Sequence, residues 1–173
     1  MRIVIITPAR SSSRSGNATT TLRWTRILRG LDHKVRVAEA YDGSPADLMI
    51  ALHAWRSADS IRRFRALYPD RPLVVALSGT DIYEYIDRDP APVLHSLACA
   101  DRLVALQDLV RRRLPPRFRG KLRVVHQSAA RVPMRRKSTR SFDVAVIGHL
   151  RHVKDPLRAA FAARRLPASS HMR

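Results

Sequence analysis

Apolar residues fall along the chain in short blocks, and the blocks carry two different periods. Ile3, Val4, Ile5 and Ile6 form a continuous β-branched run, the pattern of a parallel strand buried on both faces. A polar stretch over 9–17 follows. Leu22, Trp24, Ile27, Leu28 and Leu31 then recur at near-helical spacing, with Gly30 close to the end, which predicts a helix packed by that apolar stripe. The alternation repeats: strands are predicted over 34–38 and 47–53, and a helix over 57–67 with Ile61 and Phe64 on one side. A fourth strand over 73–78, a helix over 92–100, a fifth strand over 102–106 and a sixth over 122–126 complete the series. Strands alternating with helices at these intervals predict right-handed βαβ units, and so an α/β fold with a Rossmann-like, doubly wound parallel sheet.

Beyond His126 the periodicity fades into a linker with Pro133 and the basic run Arg135, Arg136 and Lys137. A further strand is predicted over 142–147, then Gly148 and a helix from 156 to about 165. The reading divides the chain into a Rossmann-like domain with its linker, 1–138, and the first βα unit of a second domain, 139–173. One strand and one helix cannot bury enough apolar surface to stand alone. The second part is therefore expected either to extend the main sheet or to be the start of a longer, truncated domain.

Composition narrows the class. The chain has 173 residues, 45% hydrophobic and 27% charged, as soluble globular proteins do. The lone Cys99 excludes an internal disulfide framework and a Cys-rich zinc site. No apolar run approaches the roughly 20 residues that span a bilayer, and the block at Ile3 is too short for a signal-peptide core. No membrane association and a cytoplasmic location are expected.

Charge adds a direction. Lys and Arg number 33 against 14 Asp and Glu, a net +19. Residues 1–38 carry eight bases and one acid, 39–108 seven bases and eleven acids, and 109–140 twelve bases and no acid. Such asymmetry suits one face turned toward phosphates, nucleotides or nucleic acid.

Ligands of open parallel sheets bind outside the carboxyl ends of the strands, so the residues there are the candidates. After the first strand, Arg10, Arg14, Gly16 and Asn17 lie in a small-residue loop whose following helix offers free N–H groups to an anion. The plain alternative is a solvated loop capped by Asn17 or Thr19. Neither the dinucleotide fingerprint nor the phosphate-loop pattern is present. His53 ends the third strand and Ser78, Gly79, Thr80 and Asp81 end the fourth, bringing an imidazole, a polar turn and a carboxylate to one rim. A structural histidine and a helix cap would look the same. The seven histidines show no metal-ligand spacing, so no metal is expected. Cys99 falls at an apolar position of a helix and reads as inert. The segment from Arg111 to Arg123 contains seven bases but one aromatic, Phe118. It reads as a solvated face or a surface that attracts small phosphorylated substrates, with a nucleic-acid-binding module as the less favoured alternative. Arg151 and Lys154, between the last strand and helix, would suit a diphosphate.

Six strings together carry a resemblance: T-P-A-R-S-S-S-R-S-G-N from Thr7, L-R-W from Leu22, Y-D-G from Tyr41, A-D-L-M-I-A-L-H-A from Ala46, S-G-T-D from Ser78 and G-H-L-R-H-V-K-D-P from Gly148. With them the chain resembles the family 4-like glycosyltransferases of the GT-B fold, and among these the selenosugar synthases of selenoneine biosynthesis. The resemblance implies two facing Rossmann-like domains, the first holding the acceptor and the second a nucleotide sugar. It implies that Arg10, Arg14, Gly16, Asn17, Gly79 and Thr80 bind the acceptor side, that His53 and Asp81 are catalytic, and that Arg151 and Lys154 neutralise the departing diphosphate. The implied reaction joins selenophosphate to a UDP-sugar, such as UDP-N-acetylglucosamine or UDP-glucose, with no further cofactor. The nucleophile is already ionised, so no strong general base is needed and His53 can bind rather than abstract a proton. Removal of His53 or Asp81 is expected to abolish activity and leave the fold intact. Two departures stand beside this: family chains run to roughly twice this length, and His149 replaces the usual Arg after the glycine. The chain is therefore expected to be an acceptor-binding half, incomplete for catalysis.

Overall fold

The computed structural model describes residues 1–8, 15–129, 131–134, 139–140, 142–148, 150, 154–167 and 169–170. They form two compact units, Met1–Ser128 and Ala129–Arg173.

The first unit is a six-stranded sheet, every neighbouring pair parallel, in the order β2-β1-β3-β4-β5-β6. Its strands are β1 (Arg2–Ile6), β2 (Lys34–Ala38), β3 (Leu48–Leu52), β4 (Leu73–Leu77), β5 (Arg102–Ala105) and β6 (Leu122–Val124). The α/β, doubly wound reading of the sequence is therefore correct. Continuous apolar runs make the central strands because both faces are covered: Ile3, Val4, Ile5 and Ile6 are all buried. Each fully buried aliphatic side chain contributes about 1.5–3 kcal/mol.

The strand order also decides which helix covers which face. From β1 the chain steps outward to β2, then returns across β1 to β3 and proceeds the other way to β6. Right-handed crossovers running in opposite directions place their helices on opposite faces. Helix α1 (Gly16–Gly30) lays Trp24 and Leu28 on Ile3, Ile5, Val35, Ile50, Leu52 and Ala76. Helices α2 (Ala58–Leu67) and α4 (Pro90–Cys99) pack together over the other face, with Ile61, Phe64, Val93 and Leu97 in its core. The β2–β3 connection carries no helix. Tyr41 plugs that gap, buried edge-on against Phe64 at 5.4 Å between ring centroids. Gly43 turns the connection at φ 94°, where the Arg63 guanidinium leaves little room for a side chain.

Four expectations need correction. Helix α1 packs only Trp24 and Leu28 of the stripe read from the sequence on the sheet, since Leu22 is 65% and Leu31 61% exposed while Thr20, Thr21 and Thr25 face inward. Its cap is Ser15, whose Oγ accepts from the Ala18 N–H at 3.3 Å, and not Asn17 or Thr19. The third strand stops at Leu52, because His53 has φ 73° and cannot continue it. In the second unit, the strand expected over 142–147 is not formed: Phe142 makes an isolated bridge and 143–147 carry no regular secondary structure. A strand exists through its neighbours' hydrogen bonds. Helix α6 (Arg158–Ala163) follows, with its own Phe161 and the preceding Leu157 exposed.

Candidate functional site

The winding of the sheet reverses between β1 and β3, and in such sheets the ligand crevice opens outside the carboxyl ends of the strands at that reversal. His53 stands there, directly after β3. Its left-handed backbone lets the chain leave the strand in a tight turn over 53–57, and the turn is held at every step. The Ser57 N–H donates to the His53 carbonyl at 3.0 Å, the Ser57 hydroxyl to the Leu52 carbonyl at 2.7 Å, and the Ser96 hydroxyl to the Ala54 carbonyl at 2.7 Å.

The imidazole lies between two groups. Its Nδ1 accepts from the backbone N–H of Arg56 at 3.2 Å, and its Nε2 is 2.9 Å from Thr80 Oγ1. A backbone N–H can only donate, so Nδ1 is unprotonated in the neutral ring and Nε2–H donates to the Thr80 hydroxyl. Burial pushes the His53 pKa below its ordinary value and the Arg56 charge adds to this, against the pull of Asp81 and Glu84. A neutral ring is the form this geometry needs. The Thr80 hydroxyl, with its oxygen accepting from the ring, keeps its own proton to donate elsewhere.

Asp81 explains why the two loops meet. Its carboxylate, 0% exposed, accepts from four backbone N–H groups: Ala54 at 3.0 Å, Ser78 at 3.1 Å, Gly79 at 2.8 Å and Ile82 at 3.1 Å. One buried charge thus ties the turn after β3 to the turn after β4, where Gly79 adopts φ 119°. A π-helical turn, Asp81–Tyr85, continues into α3 (Ile86–Arg88). On its far side Trp55 stacks on Tyr85 at 4.1 Å between centroids and donates its Nε1–H to Asp89 at 2.7 Å.

Of the residues read from the sequence, His53, Gly79, Thr80 and Asp81 are brought together here. Gly16 and Asn17 form the first turn of α1, which follows β1. Lys154 is exposed in the second unit. Arg10, Arg14 and Arg151 lie outside the described residues, as do His149 and the basic run 135–137. His53 is only 3% exposed, so Thr80 and not the imidazole presents surface to a ligand. Asp81 is occupied entirely by the backbone, which runs against the expectation that its removal leaves the fold intact. Among the described residues no cluster of three or more His, Cys, Asp or Glu could hold a metal ion.

The basic segment 111–123 is also different from its sequence pattern. Helix α5 (Val110–Arg113) and the 3-10 helix Pro116–Lys121 carry it into β6. Arg113 pairs with Asp87, Arg117 lies over the Phe118 ring, Arg119 donates to the Leu114 carbonyl and Arg123 to the Gly120 and Leu122 carbonyls. Lys121 Nζ donates to the Ala98 and Ala100 carbonyls at the end of α4, at 2.8 and 2.6 Å. Five of the seven bases serve the fold, and Phe118 is 6% exposed, unavailable for stacking on a base. A shallow cavity of about 250 Å³ lies by the start of β1 and β2, lined by Arg2, Lys34 and Arg36. It is at the opposite end of the strands from His53, and Arg2 and Arg36 are paired with Asp47 and Asp42.

Sequence reasoning passed over Arg56. It is exposed on the rigid turn, beside His53. Its signal was its place three residues after the rim histidine, masked by an abundance of arginines elsewhere. No helix among the described residues is long and apolar enough to cross a membrane. Compared with known proteins, the chain matches no family model and no curated protein.

Proposed function

We propose that the chain is the acceptor-side part of a sugar-transferring enzyme of the GT-B kind, acting in the cytoplasm on selenophosphate and a UDP-sugar. The reading rests on the motif set in the sequence, and one observation supports it best: a Thr80 hydroxyl oriented by a neutral His53 at the winding reversal of a parallel sheet. That is an acceptor-binding arrangement, with a donor hydroxyl available to an anion and little need of a base. In the reaction, selenium attacks the anomeric carbon, the C–Se bond forms, and the C–O bond to UDP breaks with its electron pair leaving on the diphosphate. Water then cleaves the Se–P bond and releases phosphate. Thr80 contacts the acceptor, while His53 and Asp81 position it. The diphosphate is assigned to Arg151 and Lys154.

The test is mass spectrometry of reactions holding selenophosphate and UDP-N-acetylglucosamine or UDP-glucose. The chain is assayed alone and fused ahead of a complete nucleotide-sugar-binding domain. A selenosugar from the fused protein, reduced in Thr80→Val, is the expected result; no product with either donor overturns the proposal.

A further inference from the structure

Residues 39–108 contain eleven acids and seven bases, so every base there has acids or carbonyls to spare. Six of the seven use them. Arg62 pairs with Asp59, Arg65 with Asp101 and Arg88 with Glu84; Arg63, Arg71 and Arg102 donate to backbone carbonyls. Arg56 is the exception among the described residues, its guanidinium making neither hydrogen bond nor ion pair. It is not a remote surface residue. Its own N–H holds His53 Nδ1, whose other nitrogen holds Thr80 Oγ1, and its turn is fixed by Ser57, Ser96 and Asp81. The backbone of Arg56 is thus two hydrogen bonds from the Thr80 hydroxyl, and a guanidinium anchored there together with that hydroxyl is the donor set that a tetrahedral oxyanion needs: a charged fork and one neutral O–H.

From this we infer that Arg56 and Thr80 form an oxyanion site of the phosphate class at the switch point between β1 and β3. The inference rests on the acceptor reading above for its direction, because the ligand it assigns to the site is the phosphate group of a small phosphorylated acceptor. Arg56 supplies the charge that recognises the group, Thr80 a directed hydrogen bond, and the buried His53 keeps Thr80 in register without presenting a second charge.

The experiment is calorimetric titration of the full chain at low ionic strength with inorganic phosphate, and separately with pyrophosphate and UDP. Arg56→Gln is expected to weaken phosphate binding about tenfold, the loss of one charge-assisted contact. Arg56→Lys restores part of it, and Thr80→Val weakens binding about threefold. Arg112→Gln removes another exposed charge, and equal losses in Arg56→Gln and Arg112→Gln would reduce the effect to net charge and overturn the site. Binding of UDP or pyrophosphate that depends on Arg56, with none of phosphate, would overturn the acceptor assignment. Unchanged melting temperatures in Arg56→Gln separate these outcomes from unfolding. Phosphate binding that needs Arg56, in a protein that makes no selenosugar, would leave the site standing and remove the transfer reaction alone.

Discussion

His53 Nε2 and Thr80 Oγ1 are 2.9 Å apart although 27 residues separate them in the chain. The contact exists because β3 and β4 are adjacent and end in register, so that the turns leaving them share one rim. It sets the tautomer of His53 and leaves the Thr80 proton free for a ligand. Replacing Thr80 with Val is expected to lower affinity for phosphate without unfolding the protein, since Thr80 is half-buried and loses one neutral hydrogen bond worth about 1 kcal/mol. Urea denaturation and the phosphate titration, read together, check both halves of that statement.

Asp81 carries more of the fold than its motif suggests. Asp81→Ala strands four backbone N–H donors, two buried and two half-buried, and is expected to cost about 3–5 kcal/mol, a large part of the stability of an ordinary domain. Asp81→Asn keeps one accepting oxygen and turns an N–H₂ group toward donors, so it falls between. Equilibrium urea unfolding gives both values, and a loss below about 1 kcal/mol in Asp81→Ala would show the four contacts to be dispensable.

Acid should weaken the protein through His53. Its folded pKa lies below the ordinary value of 6.5 because the ring is buried, whereas the unfolded chain titrates near 6.5. Between the two values the unfolded state binds a proton that the folded state refuses, so stability is full above about 6.5 and declines as the pH falls below it. His53→Asn keeps a residue that tolerates the left-handed backbone and removes the titration. Urea midpoints at pH 7.5 and 5.5 should therefore drop further in the wild type than in this variant.

Helix α1 offers a gain. The Oγ1 atoms of Thr21 and Thr25 are buried without a hydrogen-bond partner among the described residues. Valine has the same shape and no hydroxyl to desolvate, so Thr21→Val and Thr25→Val are each expected to stabilise by about 0.5–1.5 kcal/mol. A melting temperature that falls in both would mean that the hydroxyls are in fact satisfied.

Lys121 should behave as a structural residue in spite of its place in a basic run. Its ammonium meets the last carbonyls of α4, where a cation and three donors are most effective. Lys121→Met is expected to cost about 1–2 kcal/mol, against near zero for Arg112→Gln, in the same unfolding experiment.

Much of this protein is local. The continuous apolar runs at Ile3, Leu48 and Leu73 read as buried parallel strands, and the spacing between strands called for helical crossovers, so the fold class and the rim position of His53 and Ser78–Asp81 were legible from the sequence. Each of those inferences depends on neighbours within a few residues. What tertiary structure decided was everything that depends on strand order. The stripe of α1 could not reveal that Thr20, Thr21 and Thr25 would face the sheet, because the helix's rotation is set by its docking. The carboxylate of Asp81 could have been a catalytic group until the turn after β3 supplied the Ala54 N–H as one of its four donors. Among many arginines, Arg56 became distinct only when Arg65 found Asp101 and Lys121 found the end of α4. Charges pair through space, across strands 20 or more residues apart in sequence, and composition alone contains no record of which ones are left over.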